Sequence, residues 1–250
     1  MKIQFSKVIY RGFWAALDWI YPPVCAGCGE PGYRLCASCQ AKIKWITGKK
    51  CRVCGEPMIK QQGLCDNCRL RQPSFTAMRN LAEYEGVMRE CIHGLKYENN
   101  QSLGDFFAEW LETLVRKEAW SIDMVIPVPL SRQRLAERGY NQAAMLAKPL
   151  ALQLGCAYNP FGLKRIRDTR SQVGLSGEER RRNVVGAFEA VPQIVHDKAV
   201  LVVDDVMTTG ATMESCGQAL FDAGAIAVFC LTLARYSPRN HSSLSTRHQV

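Results

Sequence analysis

The sequence predicts an α/β protein with a parallel sheet and flanking helices, preceded by a small cysteine-rich module. The strand prediction rests on runs such as residues 200–203, four apolar residues without alternation, which is typical of strands covered on both faces. Elsewhere apolar residues recur at helical spacing, most clearly over residues 103–115. Cysteines cluster between residues 25 and 68. A chain of 250 residues accommodates one α/β domain and one small module.

The chain divides into four predicted segments joined by one linker. The linker is the polar stretch of residues 69–80, which contains Pro73. The four segments are an amphipathic helix over residues 1–22, the cysteine module over residues 23–72, the α/β domain over residues 80–236, and a polar, disordered tail over residues 237–250.

The N-terminal segment has apolar residues at spacings of three and four, from Phe5 to Ile20, before Pro22 and Pro23 end the pattern. Such a helix lies on a membrane surface or packs on protein. The basic residues near its start are too sparse for strong lipid binding, which favours packing on the protein or on a partner.

The cysteine module consists of four C-x2-C pairs. Two residues between paired cysteines allow both sulfurs to reach one tetrahedral ion, and a second pair completes the site. Both halves begin with a C-x2-C-G turn, so the module is an internal duplication and resembles a double zinc ribbon. The eight cysteines are Cys25, Cys28, Cys36, Cys39, Cys51, Cys54, Cys65 and Cys68.

This spacing predicts two zinc ions, each held by four thiolates, with disulfides or an iron–sulfur cluster as the alternatives. Sequential pairing places the first four cysteines on one ion and the last four on the other. Interleaved pairing is compatible with the same spacing and is the alternative. Four thiolates leave no open coordination position, so the metal is expected to be structural. A segment this short and poor in apolar residues would hardly fold without it.

Charge and targeting signals limit the compartment and the partners. The net charge of +9 indicates anionic partners such as phosphates or nucleic acid. The N-terminal apolar stretch is interrupted by Arg11 and Asp18 and lacks a small-residue cleavage site, so no secretory signal is predicted. No run is long and apolar enough to span a membrane. A reducing cytoplasm is the expected compartment.

Within the α/β domain, the predicted strand over residues 125–130 ends at prolines that cannot continue a ladder. An alanine-rich helix follows, which Pro149 is predicted to kink or end. The other predicted elements are a short strand near residue 81, helices over residues 86–97 and 103–115, and strands over residues 187–188 and 225–234.

Positive charge follows the strand at residues 125–130 and recurs in a later loop. Arg132, Arg134 and Arg138 are expected at the sheet edge where loops leaving parallel strands meet, a solvated helix start being the alternative. Residues 164–183 carry seven Lys/Arg against three Asp/Glu and little apolar periodicity. Such a segment is typical of a lid, a binding loop or disorder.

The stretch at residues 200–212 predicts a phosphosugar site. A buried strand leads into Asp204 and Asp205, and a hydroxyl-rich turn with Gly210 then opens a helix. Backbone N–H groups and the positive end of the helix dipole suit a phosphate, and carboxylates accept hydrogen bonds from sugar hydroxyls. The alternative is a strand that ends in two solvated acids, one of them capping the helix.

This stretch resembles the binding motif for 5-phosphoribosyl 1-pyrophosphate (PRPP) in type I phosphoribosyltransferases, and all positions of that pattern are filled. The resemblance implies a type I phosphoribosyltransferase-like sheet. It implies that Asp204 and Asp205 contact the ribose diol. It also implies a cradle for the 5-phosphate made of Thr208, Thr209, Gly210 and Thr212.

The whole chain resembles the ComF/GntX family. The resemblance is carried by the cysteine module, the residue 204–205 motif, Leu95-Lys96-Tyr97, Pro127-Val128-Pro129 with Arg138-Gly139-Tyr140-Asn141-Gln142, and Thr169-Arg170-Ser171-Gln172 with Arg182-Asn183. It implies a pyrophosphate loop after Val128 and a flexible lid over residues 165–183. The implied loop and lid residues are Val128, Pro129, Arg132, Arg138, Arg170 and Arg182.

Family members are linked to natural competence, the inward transfer of single-stranded DNA, or to gluconate utilisation. The first expectation is therefore a PRPP-binding protein that handles single-stranded DNA together with other DNA-uptake proteins. The alternatives are a phosphoribosyltransferase that uses PRPP with Mg²⁺ and an unknown acceptor, and a non-catalytic PRPP or nucleotide sensor. The residues identify no nucleobase pocket, so no catalytic residue is assigned.

Overall fold

The structure is a computed structural model that describes residues 22–59, 63–98, 100–167, 179 and 183–237. Its helices in chain order are α1 (Ala37–Ala41), α2 (Asp66–Leu70), α3 (Gly86–Tyr97), α4 (Gln101–Lys117), α5 (Arg132–Arg138), α6 (Gln142–Leu154), α7 (Pro192–Val195) and α8 (Ala211–Asp222). Its strands are β1 (Ala77–Glu83), β2 (Met124–Pro127), β3 (Ala157–Tyr158), β4 (Leu163–Arg165), β5 (Phe188–Ala190), β6 (Ala199–Met207) and β7 (Ala227–Arg235).

Five parallel strands form the central sheet in the order β1-β7-β6-β2-β3. The apolar run of β6 is buried on both faces of this sheet. Leu201 and Val203 pack into the core that contains apolar residues of α3, α4 and α6. Val200 and Val202 pack into the opposite core, which contains those of α8. The predicted parallel sheet with helices on both faces is confirmed.

The strand β5 does not join this sheet, contrary to the sequence prediction for residues 187–188. It pairs antiparallel with β4 in a separate two-stranded hairpin. Phe188 and Ala190 are buried while Glu189 between them is exposed, the alternation of a strand covered on one face. A run of two apolar residues is too short to distinguish a strand buried on both faces from a strand covered on one face.

Pro149 lies inside α6, which continues through it to Leu154 rather than ending there. A proline lacks the N–H that would bond to the carbonyl four residues earlier, here that of Met145. A Cβ built on Gly104 of α4 would lie 2.3 Å from the Met145 oxygen, so the backbone of α4 packs directly against this carbonyl. Contacts of carbonyls with Cα–H groups are common between packed helices, so the Met145 carbonyl, which cannot accept from residue 149, has the α4 backbone as its neighbour.

The cysteine module packs along the outer edge of β1. The Ile46 N–H donates to the Leu81 carbonyl at 3.0 Å, and the Met78 N–H donates to the Val53 carbonyl at 2.6 Å. On its other side β1 pairs with β7. The module therefore covers an edge strand that would otherwise present unpaired backbone groups.

The module also shares its core with the α/β domain. Leu35 and Ile43 belong to the same buried cluster as Ile92 of α3, and Trp45 stacks on Trp110 of α4 with ring centroids 4.5 Å apart. The connecting segment is shorter than the predicted linker, because α2 ends at Leu70 and β1 begins at Ala77. The apolar residues near its end are buried in the domain core, which the polar character of the stretch concealed.

The predicted N-terminal helix falls almost wholly on residues 1–21 and the predicted tail on residues 238–250, which lie outside the described residues. In the part of the chain that the structure describes, none of the helices combines the length and apolar character that crossing a membrane requires.

Candidate functional site

The eight module cysteines form two groups of four in chain order. The sulfurs of each group lie within 4.8 Å of one another. None of these cysteines forms a disulfide. Sequential pairing is therefore the arrangement that the fold adopts, and interleaved pairing is wrong for this chain. The first group is Cys25, Cys28, Cys36 and Cys39, and the second is Cys51, Cys54, Cys65 and Cys68.

Both groups have the dimensions of a tetrahedral zinc site. Sulfurs bound to one zinc ion at about 2.3 Å lie about 3.8 Å apart. In the first group the Cys28 and Cys36 sulfurs are 3.7 Å apart, and in the second those of Cys54 and Cys65 are 3.5 Å apart. The residues present therefore suit two zinc ions.

Backbone N–H groups stabilise one sulfur of each group as a thiolate, whereas burial keeps another thiol protonated. The Cys36 N–H donates to the Cys25 sulfur at 3.3 Å, and the Cys65 N–H donates to the Cys51 sulfur at 3.4 Å. Burial, together with the neighbouring thiols, raises the pKa of Cys39 to about 12. This thiol keeps its proton until a cation displaces it, so metal binding releases protons.

A cleft of about 440 Å³ opens at the carboxyl edge of the sheet. Strand β2 stops pairing with β6 at Pro127, opposite Val203, whereas β6 continues beside β7 as far as Met207. Asp204 and Asp205 therefore lie where β6 extends beyond β2, and both line the cleft. Ligands of open α/β sheets bind at this edge.

Asp205 anchors a chain of polar contacts along the cleft. Its carboxylate is buried, with one oxygen 2.7 Å from Lys96 Nζ and the other accepting from Gln142 Nε2 at 3.4 Å. Gln142 Oε1 accepts from Arg138 Nη1 at 2.8 Å. The Arg138 guanidinium also lies over the Tyr97 ring, 5.1 Å from its centroid. Residues from α3, α5, α6 and β6 are thus joined around one carboxylate.

The two adjacent carboxyl groups differ in their protonation. Burial raises the pKa of Asp204 well above its usual range, and the neighbouring Asp205 charge raises it further. Burial also opposes ionisation of Asp205, but the Lys96 ammonium outweighs burial and holds the pKa of Asp205 below its usual value. Asp205 and Lys96 therefore form an ion pair, and Asp204 is the carboxyl group whose charge a ligand would stabilise.

The loop after β6 turns sharply into α8. Gly210 has a φ of 80°, a conformation that favours glycine, and Ala211 is the first helical residue. Thr208, Gly210 and Thr212 line the cleft, where the dipole of α8 favours an anion. Thr209 lines a smaller pocket on the other side of the loop, and its hydroxyl accepts from the Ala211 N–H at 3.4 Å.

The loop after β2 forms another wall of the cleft. Val128 and Pro129 line it, and Asn141 Nδ2 donates to the Val128 carbonyl at 3.0 Å, which ties this loop to α6. The helix α5 places Arg134 and Arg138 at the same cleft. The residues predicted for the pyrophosphate loop therefore lie beside the predicted phosphosugar motif, with the exception of Arg132.

Arg132 lines a neighbouring depression of about 530 Å³, together with Lys164, Arg165 and Ile166. Arg165 also lines the cleft, so the two cavities share this side chain. No acidic side chain is among the described residues that line the depression. We call this feature the basic depression.

The predicted lid connects the two strands of the β4–β5 hairpin. Arg170 and Arg182, which the sequence assigned to this lid, lie outside the described residues. The Ile166 N–H donates to the Ala187 carbonyl at 2.9 Å, which extends the hairpin beyond Arg165. Both ends of the lid segment are thereby held beside the basic depression and the cleft.

Lys96 and Gln142 were not predicted at the site, although both lie within the motifs that carried the family resemblance. Helical periodicity over residues 86–97 predicted a helix and gave no role to Lys96. The contacts of Lys96 and Gln142 with Asp205 depend on how α3 and α6 pack against the sheet. Tyr84 and Tyr236, which also line the cleft, were likewise not predicted there.

Comparisons with known proteins agree with both parts of this description. A double zinc ribbon domain matches residues 16–69, and a phosphoribosyl transferase domain matches residues 95–248. The DNA utilization protein YhgH of Salmonella typhi is 32% identical over 176 residues, which cover 67% of this chain and 76% of that protein. Competence protein F of Haemophilus influenzae is 32% identical over 208 residues, which cover 80% of this chain and 90% of that protein.

Among solved structures, the glutamine PRPP amidotransferase from B. subtilis, complexed with ADP and GMP, is 23% identical to the chain. That match covers 57% of this chain and 30% of the amidotransferase, with a TM-score of 0.40.

Proposed function

This chain belongs to the ComF family, in which a double zinc ribbon precedes a phosphoribosyl transferase domain, and we propose that it binds PRPP and handles single-stranded DNA during DNA uptake. One observation carries the proposal. Two adjacent carboxyl groups and a threonine–glycine loop at a helix start line the same cleft as four basic side chains, Lys96, Arg134, Arg138 and Arg165.

Each part of PRPP has a complementary group in the cleft. Thr208, Gly210 and Thr212 would surround the 5-phosphate at the start of α8. Asp204 would accept hydrogen bonds from the ribose diol, and these would stabilise its ionised form. Arg134 would face the pyrophosphate.

Magnesium would enter with the pyrophosphate, since Mg²⁺ usually binds through substrate phosphates and one or two protein carboxylates. The cleft suits this arrangement, because Asp204 lines it while Asp205 is already paired with Lys96. Bound there, the ion would neutralise phosphate charge. The lysine would keep Asp205 ionised and oriented.

Binding of PRPP is tested by calorimetry with and without Mg²⁺. We expect the double variant Asp204→Asn/Asp205→Asn to lose Mg²⁺-dependent PRPP binding while zinc content stays unchanged. The control is Asp222→Asn, an exposed acid at the end of α8, which should bind PRPP like the wild type. Unchanged PRPP affinity in the double variant would overturn the site.

The basic depression supports the nucleic-acid part of the proposal. Arg132 and Lys164 are exposed, and Arg165 joins them to the cleft, so a chain of phosphates extending from the cleft would meet further cations. A free phosphosugar does not need them. The names of the two relatives, a DNA utilization protein and a competence protein, point to the same class of partner.

Single-stranded DNA binding is tested by titrations at several salt concentrations. Neutralising Arg132 and Lys164 to glutamine should weaken binding and reduce the log–log salt slope by about 0.7 for each phosphate that the protein no longer neutralises. Exposed Lys148 and Lys198, changed in the same way, provide the matched control. A wild-type affinity that does not vary with salt would exclude the nucleic-acid role.

Pyrophosphate release distinguishes binding from catalysis. A panel of nucleobases is supplied with PRPP and Mg²⁺, and pyrophosphate is measured. Binding without release in any arm supports the binding protein that we propose, whereas turnover with one acceptor would reassign the chain as a phosphoribosyltransferase.

A further inference from the structure

The second zinc group lies directly behind the phosphate loop, which we define as residues 208–213. A pocket of about 130 Å³ separates them and is lined on one side by Cys54 and Cys68 and on the other by Thr208, Thr209 and Gly210. The loop thus faces the predicted ligand on one side and a cysteine group on the other. No described residue of the first zinc group lines either the pocket or the cleft.

An ion pair from the second ribbon, residues 51–71, holds the chain just before the phosphate loop. Glu56 forms an ion pair with Arg235 at the end of β7. Arg235 is the register partner of Met207, the last residue of β6. Glu56 therefore holds the end of β7, which lies beside the end of β6 from which the loop departs.

A second ion pair holds the helix into which the phosphate loop leads. Arg71, directly after α2, lies 2.9 Å from Glu214 in the first turn of α8. An acidic side chain in this turn would repel an incoming phosphate, so the pairing also offsets an unfavourable charge. The two ion pairs, Glu56–Arg235 and Arg71–Glu214, are called the loop brackets below.

Backbone contacts hold the second ribbon itself against β1. A Cβ on Gly55 would lie 2.7 Å from the Met78 carbonyl oxygen, and the Met78 N–H bonds to Val53. The Met78 side chain reaches toward Gly210, since its Cε lies 4.0 Å from the Cβ position of that glycine. The cysteine turn, the strand and the phosphate loop are therefore in continuous contact.

The first ribbon, residues 25–43, packs elsewhere. A Cβ on Gly27 would lie 3.0 Å from Val87 Cγ1, which places this turn against the start of α3. Lys44, which follows it, forms an ion pair with Glu85 before the same helix. Lys96, the α3 residue that reaches the cleft, lies at the opposite end of this helix.

From this asymmetry we infer that the second zinc ribbon positions the phosphate loop, so that PRPP binding depends on zinc in the second group and not on zinc in the first. The effect on PRPP affinity rests on the proposed function, whereas the effect on the order of the loop can be measured without PRPP. Zinc in the second group would fix the turn that carries Glu56 and the helix that precedes Arg71. The ion pairs of these two residues hold the chain on either side of the loop.

The first test leaves both zinc groups intact. The variant Glu56→Gln/Arg71→Gln removes the loop brackets. The variant Lys44→Gln removes the comparable ion pair that directly follows the first ribbon. We expect the variant without the loop brackets to keep its zinc and to weaken PRPP binding about tenfold or more, since a loop that is no longer held must be ordered when the ligand binds. Lys44→Gln should bind PRPP within about twofold of the wild type.

Hydrogen exchange on the unliganded protein provides the readout that needs no PRPP. Peptides covering the phosphate loop should exchange faster in the bracket variant and not in Lys44→Gln, while the preceding part of β6 stays protected in both. Wild-type protection of the loop in the bracket variant would overturn the inference. Faster exchange in a protein that never binds PRPP would retain the inference and reject the ligand.

The second test compares the zinc groups through their more accessible cysteines, Cys65→Ser in the second and Cys28→Ser in the first. Each variant should lose about one zinc ion per chain. Only Cys65→Ser should loosen the phosphate loop and weaken PRPP binding. Equal effects of the two variants would show that zinc acts on the fold as a whole, which contradicts a specific role for the second group.

Discussion

Lys96 at the end of α3 lies 2.7 Å from Asp205 in β6, in an ion pair that is largely shielded from solvent. Burial disfavours charge on both groups, yet each holds the other ionised: the pKa of Lys96 is raised and that of Asp205 is lowered. The pair places a fixed positive charge beside Asp204, whose own ionisation is suppressed. The cleft therefore presents Asp205 as an ionised carboxylate whose charge Lys96 balances. Asp204 is the carboxyl group whose ionisation would respond to a ligand.

Replacing Lys96 with methionine should destabilise the protein and abolish PRPP binding. Removing one partner of a buried pair leaves an uncompensated charge and costs about 3 kcal/mol. Chemical denaturation measures the free energy of unfolding, with exposed Lys148→Met as the control. The double variant Lys96→Met/Asp205→Asn should recover much of the stability without recovering binding. A Lys96→Met protein as stable as the wild type would contradict this account.

Replacing Asp204 with asparagine should stabilise the unliganded protein near neutral pH. Because the pKa of Asp204 is raised on folding, its contribution to stability is present below the unfolded pKa and is lost as the pH rises through the folded pKa. Asparagine avoids that loss, so the variant's gain in unfolding free energy over the wild type should disappear below about pH 4. Urea denaturation across this pH range checks the sign, and a gain that persists at low pH would refute it.

Glu118 should be essential for attaching the module to the sheet. Its carboxylate lies 2.6 Å from Arg79 Nη2 of β1 and 2.9 Å from Lys50 Nζ of the module. Burial opposes its ionisation, but Arg79 and Lys50 outweigh burial and lower the pKa of Glu118. This stabilisation is present above the ordinary glutamate pKa and is lost as the pH falls through the lowered value.

The variant Glu118→Gln should therefore lower the unfolding free energy at neutral pH by about 2 to 3 kcal/mol. Its matched control is Glu112→Gln, which removes a surface pair with Arg116 and should cost less than about 1 kcal/mol. Equal losses of unfolding free energy in the two variants, measured by chemical denaturation, would show that Glu118 contributes no more than a surface ion pair.

Gly55 and Gly48 test the contact between the module and β1. Both have positive φ, 68° and 80°, but only at Gly55 would a Cβ meet another group, the Met78 oxygen. Alanine at Gly48 should cost about 1 kcal/mol through backbone strain alone. Alanine at Gly55 should cost at least about 2 kcal/mol more because the turn must move off the strand. Thermal and urea denaturation of both variants would reveal this difference, and similar costs would argue against the close contact.

Much of the fold was predictable because its signals are local. The unbroken apolar run in β6, the helical stripes of α3 and α4, and the paired cysteines each report a conformation through spacing within a short window. The misassigned elements lacked that information. For β5 the apolar run was too short, and for Pro149 the effect on α6 depended on packing against Gly104.

The sequence by itself determined the chemical types at the site: an acid pair, a threonine–glycine loop, arginines after β2 and eight thiols in pairs. Tertiary structure alone decided which of these groups meet. It brought Lys96 to Asp205, assigned the cysteines to two sequential groups and set the second group behind the phosphate loop. The physical reason is that residue spacing reports the local backbone and its buried face. Contacts between distant segments depend on how those faces pack.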